Sequence, residues 1–120
     1  MTSSTNPTLV EALAELRAKE VSSVVLVEDY FQIHFGAARI SVLVPASLDK
    51  GGQTTKSDSS NFPNVLESLV GEMLSSAQRE HGNLVLRFSS SMALALSLTD
   101  ELADSEQLTF EDGSGRYWVV

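Results

Sequence analysis

Apolar positions along this chain alternate between helical and strand spacing, and they do so twice in the same order. Leu9, Leu13 and Leu16 follow helical spacing, widened by Val10 and Ala12, which predicts a helix opening at Pro7 with Asn6 as its cap. Val21–Val27 is β-branched and almost continuously apolar, which predicts a strand covered on most of both faces. Glu28–Asp29 breaks it as a turn. Tyr30–Phe35 then alternates, with Phe31, Ile33 and Phe35 to one side and Tyr30, Gln32 and His34 to the other. Gly36–Ala38 turns the chain into a third strand, Arg39–Val44, which Pro45 ends.

The stretch Ala46–Asn61, with Lys50-Gly51-Gly52 and a polar run from Thr54 to Ser60, has little apolar surface and predicts a flexible loop. Helical spacing resumes near Pro63, with Val65, Leu66, Leu69 and Val70 as the stripe and Gly71 weakening its end. Met73–Arg79 stands where Val21–Val27 stood but carries Ser75, Ser76 and Gln78, so it is expected to be the more exposed strand. Glu80–Asn83 is the next turn. Leu84, Leu86 and Phe88 alternate inward, Ser89–Ser91 turns, and Met92, Leu94, Leu96 and Leu98 return on the same side. Thr99-Asp100-Glu101 can cap one helical turn. Gln107–Phe110, a turn at Glu111–Gly115 and Arg116–Val120 form a closing hairpin.

Leu13, Leu16, Ala18, Val21, Phe31, Ile33 and Phe35 recur as Leu66, Leu69, Gly71, Leu74, Leu84, Leu86 and Phe88, at one constant offset of about fifty residues. The expected fold class is α+β. It consists of two repeat-like units, 8–45 and 62–98, each a helix followed by a three-stranded antiparallel meander. The helices cover one face of a mostly antiparallel sheet or a partly wrapped barrel. A loop over 46–61 and the C-terminal hairpin complete one domain, 1–120.

Composition narrows the function. At 120 residues and 42% hydrophobic content the chain can bury a core without staples. It has no cysteine, which removes disulfides, thiolate metal sites and cysteine nucleophiles and fits a reducing compartment. The polar, uncharged start Met1–Pro7 does not read as a signal peptide, and no apolar run approaches a membrane span, so a cytoplasmic protein is expected. Sixteen acids against 8 bases give a net charge of −8, which disfavours nucleic acid as a partner. No base lies between Phe88 and Gly115, while Asp100, Glu101, Asp104, Glu106, Glu111 and Asp112 fall there. A basic protein partner explains that asymmetry, and so does a solvated surface.

Candidate chemistry is sparse. His34 sits on the outward face of its strand and His81 in a polar turn, and neither has a neighbour at metal-ligand or triad spacing. Glu28 and Asp29 splay apart on a turn rather than sharing a proton. The ligand alternation of a calcium loop is absent, as are a P-loop, a dinucleotide-binding glycine motif and a nucleophile elbow. The expectation is a protein that is not an enzyme, with no catalytic residue, metal or cofactor. Tyr30 faces outward, and either Tyr117 or Trp118 must do so if Arg116–Val120 is a strand. Exposed aromatics beside an acidic stretch suit a protein-binding hot spot, and suit a homodimer surface equally.

Leu69-Val-Gly71-Glu-Met-Leu74, Glu28-Asp29-Tyr30-Phe31 followed by Gln-Ile-His-Phe35-Gly36, and the ending Glu111-Asp112-Gly113 through Tyr117-Trp118-Val-Val120 resemble a diffuse set of small, acidic bacterial domains of unknown role. Members of such sets are often proposed to be immunity proteins of polymorphic toxin systems. The resemblance implies a bacterial cytoplasmic domain that binds another protein, with Tyr30, Asp100, Glu101, Asp104, Glu106, Tyr117 and Trp118 as candidate contacts. A homodimeric structural domain is the alternative. A small-molecule binder using Tyr30, Gln32 and His34 is a third possibility.

Overall fold

The computed structural model describes residues 8–98 and 107–120. Helix α1 is Leu9–Ala14, and Thr8 caps it reciprocally: Glu11 N–H donates to the Thr8 hydroxyl and Thr8 N–H donates to the Glu11 carboxylate. The expected Asn6 cap lies outside the described residues. Strands β1 (Ser23–Leu26), β2 (Phe31–Phe35) and β3 (Ala38–Val42) follow as consecutive antiparallel neighbours. After α2 (Phe62–Glu67), strands β6 (Leu74–Glu80), β7 (Asn83–Phe88) and β8 (Ala93–Ser97) do the same. Strands β4 (Ala46–Lys50) and β5 (Gln53–Lys56) precede α2, and β9 (Leu108–Glu111) and β10 (Tyr117–Val119) end the chain.

The strands form two antiparallel sheets, β1-β2-β3-β9-β10 and β5-β4-β8-β7-β6. The fold is α+β, dominated by sheet. Two sheets form rather than one covered sheet, because β3 pairs with β9 rather than with its successor, and β8 pairs with β4. The buried rows Ile33, Ile40 and Phe110 of one sheet and Leu86, Leu94 and Leu48 of the other join one core, with Leu13, Leu16, Phe62, Leu66 and Leu69 from the helical segments.

Two further expectations are corrected. Of the expected loop only residues 57–61 lie outside a hairpin, which β4 and β5 make around Gly51 and Gly52, both at positive φ; Leu48 is fully buried at its centre. Glycine adopts that turn geometry at little steric cost. The exposure of the two leading strands is also reversed. In β1 no residue is buried, and Val25 and Leu26 are exposed, whereas β6 buries Leu74 and Ala77. β1 and β6 are both sheet edges; in the first run Val21 is buried and Val24 packs against the core, while Val25, Leu26 and Val27 are left exposed.

The pairings recur at the offset of the sequence repeat. Ser23 faces His34, and Ser76 faces Arg87; Val24 faces Ile33, and Ala77 faces Leu86. Farther along, with the offset longer by one residue, Ile40 faces Phe110 and Leu94 faces Leu48. The segments leading from each helix into its first strand bond to one another in matched pairs. Gly71 N–H donates to Val21 C=O and Ala18 N–H to Leu74 C=O, both at 2.9 Å. Val21 N–H donates to Glu72 C=O and Leu74 N–H to Lys19 C=O. Helix α1 packs on β6, whereas α2 packs on β1 of one sheet and on the β4–β5 hairpin of the other.

Candidate functional site

Strand parity defines the outer face of the β1-β2-β3-β9-β10 sheet. With Ile33, Ile40 and Phe110 buried inward, the alternate residues point away from the core. One outer row runs Val25, Gln32, Ser41, Thr109, Val119, and the next runs Ser23, His34, Arg39, Glu111, Tyr117. Val25, Val119 and Tyr117 are exposed, with Tyr117 at 67%. Leu43 and Val27, also exposed, continue the alternation just beyond β3 and β1. The charged residues of these two rows, Arg39 and Glu111, neutralise each other at 2.8 Å.

The centre of this face is polar, neutral and internally bonded. Gln32 Nε2 donates to Ser41 Oγ at 3.1 Å, which leaves Gln32 Oε1 to accept from His34 Nε2 at 3.0 Å. Histidine held by an amide is oriented but not activated as a base by a carboxylate. Among the described residues no group of three or more His, Asp or Glu side chains is placed to hold a metal ion.

Tyr30 is half-buried and borders a cavity of about 160 Å³ at the β1–β2 turn, between Leu26, Phe31 and Phe62. That is below the usual size of a small-molecule pocket. Tyr117 points outward. Trp118 turns the other way, is half-buried, stacks on Phe110 at 5.3 Å and lies under the Arg116 guanidinium. Tyr117 therefore lies on the outer face and Trp118 does not, while Tyr30 lies at the rim of the cavity beside Phe62. Asp100, Glu101, Asp104 and Glu106 lie outside the described residues. Glu111 and Asp112 are engaged locally, by Arg39 and by Ser114 and Arg116.

Val25 and Val119 complete the apolar part of the face, and sequence reasoning missed both. The signal was present in their alternation with buried neighbours, but Val25 sat in a run read as covered. Their backbone surroundings matter too. Asp112 N–H donates to Arg116 C=O, and Val120 N–H donates to Leu108 C=O. Alternation then turns the N–H and C=O groups of Tyr117 and Val119 away from β9, onto an edge with which no strand among the described residues pairs.

The register-matched positions in the second sheet differ in kind. Val25 corresponds to Gln78, Tyr117 to Thr54 and Val119 to Lys56, all three of the latter polar and exposed. No family model matches the chain, and no curated protein or solved structure is significantly similar to it.

Proposed function

We propose that the chain is a non-catalytic protein-binding domain, an inhibitor or adaptor, that docks its partner on the outer face of β1-β2-β3-β9-β10. The contrast between the two sheets supports this. Their registers match, so folding makes similar demands on both pairs of edges. One pair carries Gln78, Thr54 and Lys56, the ordinary protection of an exposed edge; the other carries Val25, Tyr117 and Val119. Exposed aromatic and β-branched side chains around a neutral, hydrogen-bonded centre suit a surface that a partner covers.

The immunity-type inhibitor of a basic toxin fits the same face. A net charge of −8 draws a basic partner and speeds encounter, and Asp100, Glu101, Asp104 and Glu106 contribute to that field. A bacterial cytoplasmic setting belongs to the same proposal; among the described residues no helix is long and apolar enough to cross a membrane. The two units, 8–45 and 62–98, are read as a duplication whose trailing hairpins, β4-β5 and β9-β10, are exchanged between sheets. The matched registers and the paired Ala18 and Gly71 hydrogen bonds support it.

The test compares matched substitutions. A partner captured from bacterial lysate should lose at least tenfold in affinity for Val25→Asp with Val119→Asp, and keep its affinity for Gln78→Asp with Lys56→Asp. Equal effects of the two pairs would remove this face as the docking surface. Neutralising Asp100, Glu101, Asp104 and Glu106 should flatten the salt dependence of binding.

A homodimer is the second reading, favoured by the outer edge of β10. Two copies paired antiparallel about Trp118 would place Tyr117 of each opposite Val119 of the other, satisfying the outward backbone groups of both.

A further inference from the structure

The matched registers also expose a missing partner. In the first sheet Arg39 on β3 faces Glu111 on β9, and the guanidinium meets the carboxylate at 2.8 Å. At the corresponding place in the second sheet β8 carries Ala93 and β4 carries Asp49. The acid is kept and the cation is gone. Asp49 Oδ1 is buried and accepts no hydrogen bond. A buried carboxylate oxygen without a donor is costly, and native structures rarely leave one so.

The space that an arginine side chain would fill is open. A hollow of about 470 Å³ is lined by Asp49, Ser76, Arg87, Ser91 and Ala93, within the range of ligand sites. Arg87, next to Ala93 in the same row, does not serve Asp49. Its guanidinium donates to both Glu80 oxygens, at 2.7 and 3.2 Å. The hydroxyls of Ser76 and Ser91 add hydrogen-bonding capacity to a wall whose carboxylate is that of Asp49.

We propose that this hollow is a socket for a guanidinium group, supplied from outside the chain, with Asp49 as its anion and Ala93 as the residue that makes room. A planar cation with several N–H donors matches the carboxylate and the flanking hydroxyls better than a compact ammonium. The site belongs to the other sheet from the proposed docking surface and does not depend on it.

N-acetyl-arginine amide titrated into the full chain, followed by amide chemical shifts, should perturb residues around Asp49, Ser76, Ser91 and Ala93. N-acetyl-citrulline amide, the neutral analogue, should bind at least tenfold more weakly, and so should arginine amide to Asp49→Asn. Ala93→Arg supplies the cation internally and should abolish binding while leaving distant amide shifts unchanged. Tighter binding of the blocked amide than of free arginine assigns the natural source to a polypeptide; the reverse order assigns it to a free guanidino compound. No perturbation in the parent chain, or the same affinity for citrulline amide or in Asp49→Asn, would overturn the proposal and leave the hollow to water.

Discussion

At the scale of single residues, two short-range devices stand out because each has a measurable signature. The Thr8–Glu11 box satisfies two N–H groups at the start of a six-residue helix that has few other local supports. Thr8→Ala should destabilise the fold by about 1 kcal/mol in urea denaturation, with the slope unchanged. Asp112 is held at a pKa of about 2, first by Ser114 N–H, then by the Ser114 hydroxyl, with Arg116 adding to both. The folded carboxyl is therefore more acidic than the unfolded one. Its contribution is fully present above the ordinary value of 3.8 and is lost as the pH falls from there through 2. An NMR titration of its side-chain carbon should show a midpoint near 2 that rises in Ser114→Ala, because the hydroxyl donor is removed and the backbone donor stays. An unshifted midpoint in that variant would assign the effect to Arg116 and the backbone alone.

At the scale of elements, the two helix-to-strand segments solve one problem with different residues. Ala18 and Gly71 occupy matched places, both at positive φ and both donating across the molecule. Left-handed backbone costs a non-glycine residue roughly 1 kcal/mol, whereas glycine adopts it freely. Ala18→Gly should therefore raise stability by a few tenths to about 1 kcal/mol, after the entropy glycine loses on folding is subtracted. A stability loss instead would mean that the turn draws on the Ala18 methyl group. The β4–β5 hairpin shows how an element can hide in polar sequence. Its strands offer one deeply buried side chain, Leu48, and are held in place by pairing with β8 and by a Gly-Gly turn.

At the scale of the whole molecule, the pairing of β9 with β3 and of β4 with β8 joins distant parts of the chain in two sheets around one core. Ile33 and Leu86 occupy matched, fully buried positions on opposite sheets. Alanine at either should cost about 2–5 kcal/mol and should broaden no transition, since both sites belong to one cooperative unit. The β10 edge bears on association. Sedimentation at micromolar concentration should show a dimer if this edge pairs with a second copy, and Val119→Pro should dissociate it, because that change deletes an outward N–H and leaves the ladder to β9 intact. A dimer that survives the proline would have to form elsewhere.

The sequence by itself determined what local periodicity can carry. Alternation in Phe31–Phe35, Leu84–Phe88 and Met92–Leu98 named the inward rows correctly, and the recurrence at one offset coincides with the pairings of β1 with β2 and of β6 with β7. It also placed Tyr117 as one of two candidates to face outward. Only the tertiary structure decided that Val21–Val27 leads to an exposed edge, that residues 46–56 pair as a hairpin, and that Trp118 faces inward. The physical reason is common to all three. Side-chain pattern reports which residues share a face, but whether a strand is central or an edge depends on which distant strand reaches it. That choice is made by β3 meeting β9 and β8 meeting β4, contacts between parts of the chain too far apart for any local period to register.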